Sequence, residues 1–467
     1  MDGWTLSSLV EALRTRRISA TEALQECLQN IEKSSLNAFT YIDREGALNT
    51  AKRLDAEFAR GQVRGSLHGV PLGYKDLFFI EGMPTSCGTA VADYFVAERT
   101  ATAVTRLEQA GAVTIGKLNM TELAMSPFGE NRRYGDVRNP WSIDRCAGGS
   151  SSGSAAAIAG GLVTGALGSD TGGSVRQPAA YCGIVGLKPT FGRVSRAGAM
   201  PLSWSLDHVG PLGRTVRDVA LLLSEIAGQD PLDCTTSAIA AVDYVNDLNG
   251  SIAGLRIGIP QNYFWDGVEP ELRTAILAVA DALQRLGCAL YEIQLPDPTA
   301  INSISSLITR SEGSAAHGAF ARNNPDVLSP AITGRLRLGY QVLAYDFLQA
   351  QRLRTQLTQE FVRDVFSQVE MIITPVAPGV APRLEEMIAG GIDRMLERMG
   401  HLTLMTRPVN GLGLPAISVP CGFSTLGLPF SFQLVGRPFD EVSLLKVAHQ
   451  YEQAFDWWRR RPPLERS

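Results

Sequence analysis

Along most of the chain, apolar residues recur either every three to four positions or in short unbroken runs, and the two patterns alternate. Leu24, Cys27, Leu28 and Ile31 fall at helical spacing and mark one buried face. Ser19-x-x-Glu22 just ahead of them is a capping-box pattern, and Ser8-x-x-Glu11 is another, so two helices are expected to start there. Residues 39–42 read as a strand and 44–61 as a helix polar on one face; a helix over 100–110 leads to a strand at 112–118. A helix–strand unit recurs at 154–170, then as helix 215–227, strand 254–259, helix 269–287 and strand 288–295. Helices around 341–367 lead to a strand at 371–375. A helical segment over 385–405 precedes strands at 414–420 and 430–435, and helix 441–458 closes the chain. Such alternation places a sheet between layers of helices. Without a Pro/Ser-rich linker or a fixed-period repeat, the expectation is one large α/β domain over 1–467. Its central sheet should be mixed, mostly parallel and twisted, covered by helices on both faces, with the N-terminal helices of 5–61 packed on it.

Composition changes the picture mainly by exclusion. The 467 residues are 45% hydrophobic and 19% charged, enough to bury a sizeable core. A net charge of −4 without runs of like charge argues against a nucleic-acid partner. No apolar stretch reaches the ~18 residues that span a bilayer, and the N-terminus lacks the basic-then-apolar order of a secretory signal. No membrane association is expected, and the cytoplasm is the expected location. The seven cysteines form no C-x-x-C pair and the five histidines no H-x-x-x-H spacing, so buried thiols are expected and a metal site is not.

One stretch departs from both periodicities. Between Ala147 and Pro178, a small-residue helix at 154–160 and an apolar segment at 163–167 lie between two clusters. The first cluster is Gly148-Gly149-Ser150-Ser151-Ser152-Gly153 and the second Asp170-Thr171-Gly172-Gly173-Ser174. Glycine lets backbones adopt positive φ and approach closely. Successive amides ahead of a helix form a concave donor set suited to negative charge. Serines among such donors point to a nucleophile beside an oxyanion site. Upstream, Lys75 stands in the apolar, strand-like run HGVPLGYKDLFF. A buried ammonium is costly unless used or neutralised; the plain alternative is a lysine snorkelling to a sheet edge. With no suitable histidine motif, a desolvated lysine, neutral near pH 7, can activate a serine.

These residues resemble the amidase signature family over nearly the whole chain, from about residue 5 to 455. The matching stretches are HGVPLGYKD, GKLNMTELAM, RNPW, AGGSSSGSAAA, GSDTGGSVRQPAAYCGIVGLKPT and LPAISVP with LPFSFQLVGRPFDE. The resemblance implies a Ser–cis-Ser–Lys triad: Ser174 as nucleophile, Lys75 as ultimate base, and Ser150 as the bridge in a cis Gly149–Ser150 peptide. It implies an oxyanion hole from the amides of Thr171, Gly172, Gly173 and Ser174. Ser151 would hydrogen-bond near Lys75 in a supporting role, Ser152 would be incidental, and Asp170 with Arg176 would form a bracing ion pair. Met125 and Ser126 match the segment lining the acyl side in relatives, a core role for Met125 standing beside that reading. The activity implied is hydrolysis of a linear amide through an acyl-enzyme, with esters and carbamates within reach. The substrate would be a small molecule, no cofactor or metal is implied, and a homodimer is allowed.

Three other readings compete. The A subunit of the tRNA-dependent amidotransferase uses the same triad on glutamine, but needs an acid for the glutamine amine where this chain has Thr403. A nucleotide-binding module is disfavoured because neither cluster fits G-x-x-x-x-G-K-[ST] or G-x-G-x-x-G. A Ser-His-Asp triad would pair Ser174 with His208 and Asp207. The substrate-side region, about 296–408, is the least informative. Its Met387, Met395, Met399 and Met405 either pack in helix cores or wall an apolar pocket that would favour aryl or medium-chain acyl groups.

Overall fold

The computed structural model describes Met1 and residues 3–463. Its first helix, Leu6–Arg14, begins a turn earlier than Ser8-x-x-Glu11 implied. Thr5 is the N-cap: its hydroxyl accepts from the Ser8 amide, and Ser8 Oγ accepts from the Thr5 amide. Starting there brings Leu6 onto the buried face with Leu9 and Leu13, while Glu11 pairs with Arg14 at the surface. The second helix, Ala20–Glu32, starts at the Ser19–Glu22 box and buries Leu24, Cys27 and Leu28, with Ile31 packed partly buried beside them.

The described strands in chain order are β1 (Phe39–Ile42), β2 (Pro71–Lys75), β3 (Val113–Leu118), β4 (Arg138–Asn139), β5 (Ser142–Cys146), β6 (Gly165–Asp170) and β7 (Val185–Lys188). They continue with β8 (His208–Gly213), β9 (Arg256–Pro260), β10 (Ala289–Ile293), β11 (Met371–Pro375), β12 (Ala416–Phe423) and β13 (Pro429–Gly436). β4 and β5 form a separate hairpin; the other described strands make one 11-stranded sheet in the order β1-β3-β2-β6-β8-β7-β12-β13-β11-β9-β10. This is the single large α/β domain with a mixed sheet that the alternation of helices and strands predicts. Parallel ladders form two blocks, β3-β2-β6 and β11-β9-β10, and antiparallel ladders join them through the centre and add β1 at one edge. β7 and β8 are invisible in the sequence: VGLK and HVGPLG are short, buried throughout and without period-2 alternation.

The substrate-side region folds as helices. Pro298–Asn323 and Pro330–Gly339 pack on one another, and Ala344–Phe366 packs along the first. The helical segment expected over 385–405 is two helices, Leu384–Ile388 and Gly391–Leu402. They are parted at Gly390, whose φ of +84° a helix interior does not accommodate. Met395, Met399 and Met405 are buried in hydrophobic clusters, which settles them as core packing. Among the described residues no helix is long and apolar enough to cross a membrane.

One pairing positions the site. β2 and β6 are parallel neighbours with Tyr74 opposite Leu167, so their carboxyl ends, Lys75 and Ser169–Asp170, emerge on the same side of the sheet. The helix Ser152–Ala159, buried at every residue, packs against both strands and carries the first serine cluster at its N-terminal end. Its close approach requires a glycine: a Cβ on Gly153 would come within 2.5 Å of the Ala38 and Asn119 carbonyl oxygens.

Candidate active site

Lys75 ends β2, a strand with partners on both sides, and is fully buried, so it does not snorkel to an edge. Its Nζ donates to Ser150 Oγ at 2.7 Å and to Ser169 Oγ at 2.9 Å, and no carboxylate among the described residues pairs with it. Burial brings its pKa down to about 7 against the weaker pull of the Asp170 and Asp207 charges. The Gly149–Ser150 peptide is cis.

Ser151 is held against Ser169, beside Lys75. Its hydroxyl donates to the Ser169 carbonyl at 3.2 Å and accepts from the Ser169 amide at 3.3 Å. It therefore supports Lys75 only through Ser169, the residue that makes the second bond to the lysine. Ser169 precedes Asp170 in the GSDTGGS motif but reads in the sequence as part of the strand alone. The Ser151 amide donates to the Ser174 carbonyl at 3.2 Å, which joins the two serine clusters directly. Ser152 Oγ is buried without a hydrogen-bond partner.

Ser174 is half-buried and faces a small pocket, about 50 Å³ in volume. Its hydroxyl makes no hydrogen bond to another described residue, and the structure does not join it to Ser150 Oγ. In the absence of substrate, such contacts are often long and close only on binding. Asp170 holds the loop that carries Ser174 from beneath. Its carboxylate receives Arg176 Nε and Nη2 at 3.0 Å each, and Asn410 Nδ2 at 2.8 Å, all fully buried. Arg176 also donates to Gln433 Oε1 at 3.0 Å and Asn410 Oδ1 at 2.7 Å. Burial works against this carboxylate, but the Arg176 charge and hydrogen bonds prevail and hold it well below the usual range.

Of the four amides expected to form an oxyanion hole, one is engaged within its own loop. The Gly173 amide donates to Asp170 Oδ1 at 2.8 Å, which leaves the amides of Thr171, Gly172 and Ser174 without a partner among the described residues. Gly173 has a φ of +129°, and a Cβ there would lie 2.2 Å from Thr406 Oγ1, which donates to the Gly172 carbonyl at 2.6 Å. The glycine is therefore needed for the loop's shape and not for an amide of its own.

Met125 and Ser126 line the Ser174 pocket. Met125 is buried, and Ser126 Oγ donates to Glu130 Oε2 at 2.8 Å. None of Met387, Met395, Met399 and Met405 lines this pocket; Arg310, Arg335 and Arg407 do, with Thr403 among them. The apolar acyl pocket considered from the sequence is thus replaced by a cationic one. These arginines lie on helices whose sequence carries no motif. His208 is buried, with Nδ1 facing the Leu206 carbonyl at 2.7 Å and the Asp170 carbonyl at 3.2 Å, and it makes no bond to Ser174. Asp207 accepts from Thr171 Oγ1 at 2.5 Å and from the Leu202 and Ser203 amides, so it does not orient the imidazole.

A buried lysine and two serine-bearing loops meet at the carboxyl ends of parallel strands, and a family profile described as amidase matches residues 22–445. The chain belongs to the amidase family. The A subunit of the glutamyl-tRNA(Gln) amidotransferase of Chloroflexus aggregans is 39% identical over 488 residues, covering 99% of this chain and 99% of that one. A solved chain from a complex described as vestigial, and tied to the origins of an s-triazine catabolic enzyme, matches with a TM-score of 0.89 at 35% identity, covering 97% and 98% of the two chains. The peptide amidase of Stenotrophomonas maltophilia matches with a TM-score of 0.86 at 29% identity, covering 98% of each. Relatives of both kinds, hydrolases and amidotransferase components, place this chain among enzymes acting on carbon–nitrogen bonds.

Proposed function

We propose that the chain hydrolyses an amide-type carbon–nitrogen bond through an acyl-enzyme on Ser174. Neutral Lys75 takes a proton from Ser150 as Ser150 takes one from Ser174, and Ser174 Oγ bonds to the substrate carbonyl carbon. The carbonyl oxygen becomes an oxyanion facing the amides of Thr171, Gly172 and Ser174. As the carbon–nitrogen bond breaks, the proton held on Lys75 returns through Ser150 to the departing nitrogen, which cannot leave as an anion. Water then attacks the acyl-enzyme by the same relay. One observation carries this reading: a fully buried lysine, bonded to Ser150 at 2.7 Å and unpaired with any carboxylate among the described residues, has its pKa brought to about 7. A fluorophosphonate probe is expected to add its mass to the peptide containing Ser174 and not to a Ser174→Ala variant. Labelling confined to another peptide overturns the assignment.

A second reading is favoured by the relatives. The name of the Chloroflexus protein makes it one component of a glutamyl-tRNA(Gln) amidotransferase, and on that precedent this chain would release ammonia from glutamine for a partner protein. Transfer RNA would then belong to the reaction, contrary to the expectation of no nucleic-acid partner drawn from net charge. The position that should hold the glutamine amine is Thr403, and no Asp or Glu lines the pocket. Turnover of simple amides by the lone chain without glutaminase activity supports the first reading; glutaminase activity alone supports the second.

A further inference from the structure

The wall of the Ser174 pocket carries an unbalanced charge. Arg310, Arg335 and Arg407 line it, and none of the lining residues is acidic. Burial and the repulsion of neighbouring arginines bring Arg335 and Arg407 down to about 10, which leaves both cationic at neutral pH. Their partners inside the protein are all uncharged. Arg407 donates to Thr403 Oγ1 and, at 3.0 Å, to Asn302 Oδ1; Arg335 donates to the Met125 carbonyl and, at 3.7 Å, to Met399 Sδ. Arg310 is exposed and has no hydrogen bond or ion pair with another described residue. Glu130, the acid whose charge reaches Arg335, is engaged by Ser126 Oγ and is itself pushed up to about 7 by burial, so it offsets little.

Three like charges around one small volume repel each other unless an anion enters. A carboxylate offers about four lone-pair sites and suits the planar fork of a guanidinium. We infer that the substrate is an anionic amide: a small molecule with a carboxylate seated among Arg310, Arg335 and Arg407, its amide carbonyl facing Ser174, and no ammonium group. The inference rests on reading Ser174 as the nucleophile. An uncharged acyl group would leave the arginines unpaired. The ammonium of glutamine would enter a cationic wall that presents only the Thr403 hydroxyl at the position where an acid was expected.

Glutaramate is glutamine without its amino group, and valeramide is glutaramate with a methyl group in place of the carboxylate, so the three isolate the two charges. Binding to the Ser174→Ala chain by calorimetry is expected to favour glutaramate over both by about tenfold or more, as a charge-assisted contact predicts. Succinamate and butyramide form a shorter pair with the same expectation. Added salt should narrow the preference. Arg310→Gln removes a side chain on which no other described residue depends, and Arg335→Gln removes a second cation; each should shrink the ratio of anion to neutral affinity. Equal binding of the anionic and neutral partners, tighter binding of glutamine, or a ratio unchanged in both arginine variants overturns the inference. Hydrolysis of amides by the wild-type chain without carboxylate preference would do so too while leaving the Ser174 chemistry intact. Conversely, selective carboxylate binding with no turnover and no probe on Ser174 supports the charge preference and removes the chemistry.

Discussion

Replacing Lys75 by methionine should inactivate the protein and stabilise it. The wild-type side chain is held without an opposing carboxylate, and its pKa falls from 10.5 to about 7 because burial disfavours the cation. That difference corresponds to at most about 5 kcal/mol of folding free energy. The sign follows from proton counts: between pH 7 and 10.5 the unfolded chain binds the proton and the folded chain does not, so stability rises with pH across that window. The cost of the buried amine is therefore greatest at and below pH 7, shrinks by about 1.4 kcal/mol per pH unit, and vanishes above 10.5. Methionine fills a similar volume without charge but leaves Ser150 and Ser169 without the donor they now accept from, an offset of about 2 kcal/mol for two modest hydrogen bonds. Lys75→Met should then be more stable than wild type by about 2–3 kcal/mol at pH 6–7 and lose that advantage near pH 9. Urea unfolding of both proteins at pH 6, 8 and 10 measures the difference, and the other titrating groups cancel between them. A variant less stable than wild type at pH 6, or a difference that does not change with pH, refutes the account of a desolvated, unpaired lysine. Acylation should fall by about 10³-fold or more in the same variant.

With Lys75 required neutral, the wild-type acylation rate should drop about tenfold per pH unit below a limb near pH 7; stopped-flow acylation between pH 5 and 9 measures it, and a flat profile contradicts the relay. Arg176→Met leaves Asp170 as a buried charge without its guanidinium and should cost about 3–5 kcal/mol in urea unfolding. Adding Asp170→Leu should recover part of that loss, since removing both partners no longer strands a charge.

Much of the frame was readable from patterns with a local cause. The Ser19–Glu22 cap, the strands around Lys75 and Met371, and the helix at 441 each follow from periodicity or from a side chain reaching its own backbone. Thr5 was missed because Ser8 and Glu11 satisfy the same template one turn later, and only burial of Leu6 decides between them. β7 and β8 escaped because an inner strand flanked on both sides needs no alternation. Within the site, the serines of 150–152 and Ser174 stand out through their glycine context, with Ser150 singled out by the family resemblance, whereas Ser169 looks like any strand residue until the parallel register sets it beside Lys75. The commitment of the Gly173 amide to Asp170 depends on a loop conformation that composition does not encode. Least legible were Arg310, Arg335 and Arg407: they come from separate helices and converge only through tertiary packing, so no window of sequence contains them together.

That separation has a consequence for specificity. Lys75, Ser150 and Ser174 sit on neighbouring strands and their loops, while Arg310, Arg335 and Arg407 hang from helices that come later along the chain. On the proposed reading, changes confined to those helix surfaces would alter which substrate is accepted and leave the relay's own residues untouched.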